Sequence, residues 1–158
     1  MQKITPCLWF DNQAEEAANY YVSIFKKSEI REVSRYGEGA PVPAGTALVV
    51  NFVLEGIAFQ ALNGGPAFNF TEAISFSVDT ATQEETDELW EKLIADGGQP
   101  SQCGWLKDKY GVSWQIVPRV LVELLADPDQ EKAARVMQAM LGMGKIDIAE
   151  LRAAYDAV

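Results

Sequence analysis

The chain has 158 residues, a formal net charge of −10 and a sequence pI of about 4.4. This length suits one domain or two small modules that share a core. The negative charge disfavours binding to nucleic acid and to anionic membranes, and no apolar run approaches the roughly 20 residues of a membrane span. The two cysteines lack metal-type spacing, which predicts a reduced, cytoplasmic protein.

The sequence contains no histidine, so the commonest general base in enzymes is missing. Ser-His and Cys-His nucleophile pairs are thereby excluded, and a zinc or iron ion would have few suitable ligands. We therefore expect neither a metal nor a cofactor, and Cys7 remains as a weak candidate for a catalytic nucleophile.

The hydrophobic periodicity and the positions of glycine and proline predict two similar series of elements. The predicted elements of the first series are a strand at 3–10, a helix at 13–26, strands at 30–36, 46–54 and 57–62, and a linker at 63–69. Those of the second are a strand at 72–79, a helix at 83–95 opened by a Thr82/Glu85 capping box, and strands near 101–108 and 112–117.

Short matching segments indicate that the two series are a duplication. "EGIAFQAL" (55–62) resembles "YGVSWQIV" (110–117), and "TPCLWFD" (5–11) resembles "AISFSVD" (73–79). Each copy then has the order βαβββ. An α+β fold follows, with helices on one side of mixed sheets.

The residues after Pro118 change in character and are predicted to be helical throughout. Asp127 followed by Pro128 predicts a helix start, and Asp147 with Glu150 predicts another. Val136, Met137, Met140 and Leu141 form a predicted apolar face, which is typical of core or interface packing.

The alternation of side chains gives each strand one bulky face and one small, mildly polar face. The predicted bulky set includes Ile4, Leu8, Phe10, Ile74, Phe76, Val78, Phe59 and Trp114. Thr, Ser, Ala and Gln on the other face would fill a core poorly, which favours a ligand cleft over a solvated sheet surface. The residues predicted to line the cleft are Thr5, Cys7, Trp9, Gln60, Ser75 and Gln115. Trp105 is interpreted as core packing, with cleft lining as the alternative.

Four segments carry a resemblance to a known superfamily: "FNFTEAISFSVD", "QEETDELWEKLIADGG", "QCGWLKDKYGVSWQIVP" and "KAARVMQAMLGMGKIDIAELRAA". With its duplicated units and matching glutamines, the chain resembles the vicinal oxygen chelate (glyoxalase/bleomycin resistance/dioxygenase) superfamily. Within it, the chain resembles the PhnB-like branch, also described as 3-demethylubiquinone-9 3-methyltransferase-like. The resemblance implies a single glyoxalase-like domain over 1–118 (modules 1–63 and 71–118), with a curved mixed sheet and a cleft, and a homodimeric assembly. The helical extension, 119–158, would pack on this domain or on the dimer partner.

The resemblance also implies where a divalent metal would bind in members that use one. Those places fall near Thr5, Gln60, Ala73 and Gln115, which offer a hydroxyl, two neutral amides and a methyl group. Such groups are weak ligands compared with His or carboxylate. Gln60 and Gln115 are then a pseudo-symmetric pair whose amides either orient a bound molecule or bond to each other or to the backbone across the sheet.

Three functions remain open, and the first is favoured. The first is a metal-free, small-molecule-binding protein of the glyoxalase/bleomycin-resistance fold. The second is an enzyme of lyase, isomerase or transferase type that uses Cys7, and the third is a structural module that only dimerises. A typical SAM-dependent methyltransferase is disfavoured, because neither "YGEGAP" nor "NGGPAF" sits between a strand and a helix.

Overall fold

A computed structural model describes residues 2–158, and the chain divides after Phe70 into two compact units. The elements of the first unit are β1 (Cys7–Phe10), α1 (Ala14–Ile24), β2 (Glu29–Arg35), β3 (Ala47–Leu54) and β4 (Ile57–Asn63). Those of the second are β5 (Ser75–Thr80), α2 (Gln83–Ile94), β6 (Gln99–Pro100), β7 (Trp105–Lys107), β8 (Ser113–Pro118), α3 (Arg119–Leu125), α4 (Gln130–Leu141) and α5 (Ile148–Asp156).

The two units repeat one topology. Their sheets have the strand orders β1-β4-β3-β2 and β5-β8-β7-β6. The first strand of each repeat pairs in parallel with the last one, β1 with β4 and β5 with β8. All other neighbouring strands in the two sheets are antiparallel. The α+β fold with two βαβββ modules, expected from the duplicated segments, is confirmed. No helix within residues 2–158 combines the length and apolar character that crossing a membrane requires.

The helix of the first unit packs on its sheet through small and aromatic side chains. Ala17, Ala18 and Tyr21 are fully buried, and the ring of Tyr21 stacks on Phe52 of β3 with centroids 6.3 Å apart. The start of the helix is held by Asn63, whose Oδ1 accepts a hydrogen bond from the N–H of Ala14 at 2.9 Å. The side chain of Asn63 thus satisfies a helical donor that lacks an internal partner.

The helix of the second unit begins with the predicted cap. The N–H of Glu85 donates to Thr82 Oγ1 at 3.1 Å, and the Glu85 carboxylate accepts from the N–H of Ala81 at 2.9 Å. Leu89 and Leu93 are buried on the side of this helix that faces inward. The capping box therefore sets where the helix begins, and the apolar stripe sets which face is covered.

A buried carboxylate fixes the hairpin between β7 and β8. Asp108 is 3% exposed, and its Oδ1 accepts hydrogen bonds from the N–H groups of Tyr110 and Val112. Its Oδ2 accepts from Trp114 Nε1 at 2.9 Å. Charge-assisted bonds of this kind are strong, so Asp108 holds the turn and the indole of β8 in one geometry.

The three C-terminal helices enclose a small core of their own and are joined to α2 and the 101–104 turn. That core contains Leu121, Val136, Met143, Ile146 and Leu151. The amide of Gln83 donates to the carbonyl of Ile146 at 3.0 Å and accepts from the N–H of Ile148 at 2.7 Å. The N–H groups of Cys103 and Gly104 donate to the carbonyls of Met143 and Gly144, both at 2.8 Å.

Two strand predictions were too long at their N-terminal ends. The first strand begins at Cys7, because Pro6 has no N–H to donate to a ladder. The second begins at Ser75, where its pairing with Ser113 starts. Ile4 and Ile74 precede these strands and are 85% and 74% exposed, so their assignment to the bulky, packed face was wrong.

Two predictions for the C-terminal region were also wrong in detail. The helix expected to start at Asp127 is α4, and its N-cap is Asp129, whose Oδ1 accepts from the N–H groups of Glu131 and Lys132. Of the predicted apolar face, Val136 is fully buried, while Met137 and Leu141 are 40% and 51% exposed. The buried face is narrower than predicted, since Val136 belongs to the core of the C-terminal helices and Met140 is only partly buried against it.

Candidate functional site

Two residues predicted to line the cleft meet in the second unit. Gln115 of β8 donates from Nε2 to Ser75 Oγ of β5 at 2.9 Å, and both residues are half-buried. The amide is therefore engaged within its own sheet, with a serine side chain rather than with Gln60 or the backbone. Its direct register partner is Ser77, so the bond to Ser75 is a diagonal contact across the two strands.

Two further predicted residues are neighbours in the first unit. Cys7 of β1 lies opposite Gln60 of β4 in the parallel ladder, and the N–H of Gln60 donates to the carbonyl of Pro6 at 2.9 Å. Thr5 is half-buried just before the strand. Cys7 is exposed, and desolvation by its surroundings raises the pKa of the thiol above its ordinary value. That shift disfavours the reactive thiolate at neutral pH.

Trp9 packs against the segment that follows β4. Its Nε1 donates to the carbonyl of Gly65 at 2.9 Å, and its ring meets Phe68 edge-on at 5.0 Å between centroids. A Cβ added to Gly64 would come within 2.4 Å of the indole, so glycine is required there by close approach. The segment predicted to be a plain linker therefore covers Trp9 and engages the side chain that was expected to face a ligand.

The positions that correspond to a superfamily metal site do not suit a metal ion. Gln115 uses its amide on Ser75, and Ala73 is exposed and precedes β5. Thr5 and Gln60 add a hydroxyl and a neutral amide, which are poor ligands without carboxylate or imidazole. Within residues 2–158, no group of three or more Cys, Asp or Glu side chains is placed to hold an ion.

A pocket of about 230 Å³ opens on the sheet of the second unit. Its lining residues are Glu72, Gln99, Pro100, Ser101, Trp105, Leu106, Lys107 and Ser113. The register explains this grouping, because Lys107 of β7 lies opposite both Gln99 of β6 and Ser113 of β8. Side chains at directly opposed positions share one face of a sheet. Trp105 stands two residues before Lys107 and so belongs to the same face.

Ser113 is the unusual residue of this pocket. It is 1% exposed, and its Oγ has no hydrogen-bond partner among residues 2–158. A buried hydroxyl without a partner costs free energy, and buried polar side chains are usually hydrogen-bonded. Its strand neighbour Trp114 faces the opposite, packed side and is fully paired through Asp108. Ser113 therefore brings an unused donor and acceptor to the wall of a cavity.

An ion pair stands at the same pocket. Lys107 Nζ contacts the carboxylate of Glu72, and this hydrogen bond and charge lower the pKa of Glu72 below its ordinary value. The side chains of Lys107 and Glu72 are 39% and 61% exposed. Exposed pairs of this type contribute little to stability, so both charges can exchange partners at low cost.

None of the six residues predicted to line a cleft lies in the wall of this pocket, although the polar face of β8 that was singled out for Gln115 also carries Ser113. By the period-2 alternation, Ser113 shares the face of Gln115. Trp105 was interpreted as core, although it is half-buried at the pocket. Glu72 and Lys107 were not singled out. Lys107 is two residues from Trp105, which places both side chains on the same face of a strand. This spacing becomes informative only once it is known that β7 includes both residues.

The fold is glyoxalase-like, and solved structures of known proteins share it. A family model described as 3-demethylubiquinone-9 3-methyltransferase matches residues 2–117, and the chain belongs to this family. The three helices α3–α5 lie beyond the matched residues. No curated protein matches the chain.

Solved structures resemble the chain over about three quarters of its length. A PhnB protein from Bacillus cereus is 41% identical, with a TM-score of 0.69, and the match covers 74% of this chain and 99% of that one. Protein PA1353 from Pseudomonas aeruginosa is 21% identical with a TM-score of 0.61, covering 75% and 98%. The fosfomycin resistance protein FosX from Listeria monocytogenes is 15% identical with a TM-score of 0.52, covering 78% and 97%. The last two show the shared fold alone.

Proposed function

We propose that the protein binds a small organic molecule in the pocket of its second module, without a metal ion. The observation that carries this proposal is the buried hydroxyl of Ser113, which has no hydrogen-bond partner in the described part of the chain and lies at the wall of a cavity of about 230 Å³. Trp105 supplies apolar contact area, and Gln99, Ser101 and Lys107 supply polar groups. An apolar surface with a few convergent polar groups is typical of ligand sites.

The size of the pocket supports a compact ligand. Pockets for drug-sized molecules enclose roughly 300–1,000 Å³, and this one is smaller. A ligand that hydrogen-bonds Ser113 would satisfy its hydroxyl and remove the desolvation cost present in the free protein. Relief of that cost would contribute to the binding free energy.

The test is a fragment screen read by amide and indole NMR signals of the 15N-labelled protein. We expect binders to shift the Trp105 indole and the Ser113 amide. The Trp114 indole, held by Asp108 on the opposite face, serves as an internal control and should not move. A screen in which no fragment shifts Trp105 or Ser113, or in which shifts map elsewhere, would refute the proposal.

The metal-free part of the proposal is supported by the neutral amides and the methyl group at the superfamily's ligand positions. Native mass spectrometry with elemental analysis of the purified protein tests it. We expect no stoichiometric divalent metal, and any extra mass would identify the ligand class. One divalent ion per chain would overturn this part.

An enzymatic role for Cys7 is the second candidate, and the exposure of the thiol at β1 is the observation that favours it. Titration of thiol alkylation against pH separates the two functions. A nucleophilic cysteine would react at neutral pH with a lowered pKa. We expect a raised pKa instead, because desolvation is the dominant influence on this thiol. A methyltransferase activity of the SAM-dependent type gains no support, because "YGEGAP" joins β2 to β3 and "NGGPAF" joins β4 to β5.

The proposal includes a homodimer in a reducing, cytoplasmic compartment. Large apolar side chains that remain exposed support association, among them Ile4, Ile57 and Phe68. Cys7 and Cys103 are both free thiols, which fits a reducing environment. The dimer mass in the same native spectrum is the expected result, and a monomer at micromolar concentration would contradict it.

A further inference from the structure

The pocket at Ser113 carries one charge of each sign. Of its lining residues within 2–158, Glu72 and Lys107 are the charged ones, and they contact each other. A ligand with a net charge would gain from one of these groups and be repelled by the other. Net-neutral ligands are therefore favoured by the local electrostatics.

A ligand that carries both charges fits better than an uncharged one. An uncharged ligand leaves the ion pair as it is and gains nothing from it. A zwitterion inserted between the two side chains replaces one ion pair by two, and neither protein charge is left without a partner. The half-exposed position of both side chains allows this exchange, because each can move without disturbing the packed face of the sheet.

The register defines which end of such a ligand binds where. Lys107 and Ser113 are directly opposed in β7 and β8, so the ammonium and the hydroxyl project from neighbouring points on one face. Together they present donors to a carboxylate, with Ser113 Oγ–H as the buried one. Glu72 is an acceptor and would receive an ammonium group. Trp105 lies along the same strand as Lys107 and offers a ring face for an apolar substituent.

We propose, building on the function proposed above, that the ligand is a compact zwitterion of the amino-acid type. Its carboxylate is held by Lys107 and Ser113, its ammonium by Glu72, and its side chain by Trp105.

The first experiment measures binding of the twenty standard amino acids by isothermal titration calorimetry and ligand-observed NMR. Leucine and phenylalanine are also supplied as the N-acetyl acid, the amide and the N-acetyl amide, which remove the positive charge, the negative charge and both. We expect at least one free amino acid to bind, and each blocked form of a binder to bind about tenfold more weakly or worse.

Two variants test the assignment of each end. Glu72→Gln should weaken the zwitterion and improve the N-acetyl acid relative to the wild type. Lys107→Gln should weaken the zwitterion and improve the amide. Lys92→Gln removes the exposed Glu88–Lys92 pair of α2 and serves as the matched control without effect on binding. The opposite preferences of the two pocket variants distinguish a charge-reading role from a loss of structure.

The outcomes separate this inference from the function on which it rests. Binding of blocked or uncharged compounds at Trp105 and Ser113, with no binding of free amino acids, overturns the zwitterion and leaves the pocket as a ligand site. If neither free amino acids nor blocked compounds bind, and the fragment screen does not shift the Trp105 signal, both the zwitterion inference and the proposed ligand-binding function are overturned. Amino-acid binding that Glu72→Gln and Lys107→Gln leave unchanged overturns the assigned contacts.

Discussion

Replacing Ser113 by alanine tests whether the pocket is built for a ligand, because the change should affect stability and binding in opposite directions. A buried hydroxyl without a partner costs about 1–3 kcal/mol, and Ser113 is 1% exposed with no partner among residues 2–158. Alanine removes that cost and gives up a little packing and strand propensity. We expect Ser113→Ala to raise the free energy of unfolding by about 1 kcal/mol, or about 2–4 °C in Tm.

Urea unfolding followed through the amide signals of β8 measures this change in the second unit by itself. Ser77→Ala is the matched control, since Ser77 lies on β5 in the same sheet and is exposed. We expect its effect to stay within about 0.5 kcal/mol. A gain in stability combined with weaker ligand binding would mark Ser113 as a binding residue. If Ser113→Ala lost more than about 1 kcal/mol relative to Ser77→Ala, the hydroxyl would have a structural partner and the reasoning would be wrong.

Three further changes test other features of the fold. Gly104→Ala should cost at least about 2 kcal/mol, because its φ is +84° and a Cβ would lie 2.8 Å from the carbonyl oxygen of Ile116; urea unfolding that matches the wild type would contradict this. Asn63→Ala should lower the free energy of unfolding by about 2–3 kcal/mol in the same assay, because it leaves a buried N–H of α1 and a carbonyl of β3 without their hydrogen-bond partner. A loss below about 1 kcal/mol would count against the cap. Tyr155→Phe should lower stability at pH 7 and matter less below about pH 4. The reason is that the hydrogen bond from Tyr155 lowers the pKa of Asp127, so its contribution is present above the ordinary carboxyl pKa and is lost as the pH falls through the folded value; an equal effect at pH 7 and pH 3 would contradict this.

The fold was predictable from the sequence because its signals are local. The glycine–aromatic–glutamine segments mark equivalent strands, and the Thr82/Glu85 pattern acts within one helical turn. Such patterns need no knowledge of distant partners. The strand starts were less predictable, because a strand extends only as far as its neighbour does. Ile4 and Ile74 fit the alternation and are nevertheless exposed, since no ladder reaches them.

The contact between Gln115 and Ser75 could not be predicted in the same way, because it depends on register. In the aligned repeat segments, Cys7 is equivalent to Ser75, and Gln60 is equivalent to Gln115. In the ladders, however, Cys7 pairs with Gln60, whereas Ser77 pairs with Gln115. The two copies thus differ by two residues in how the first strand meets the last. A shift of two keeps each side chain on its face and changes its neighbours. The alternation therefore predicted the face of Gln115 correctly and could not predict its bond to Ser75.

The way the C-terminal helices attach has a consequence for where side chains matter in this segment. Residues 103–104 and 143–144 are joined by main-chain hydrogen bonds. The side chain of Gln83 forms hydrogen bonds with the main chain on both sides of Asp147. Main-chain groups are the same for nearly every residue, so the join places few demands on the side chains of the appended segment. The side-chain requirements of the segment therefore lie mainly in its own apolar core, where Val136 and Leu151 are fully buried, while its attachment to the rest of the unit depends on Gly104 and Gln83.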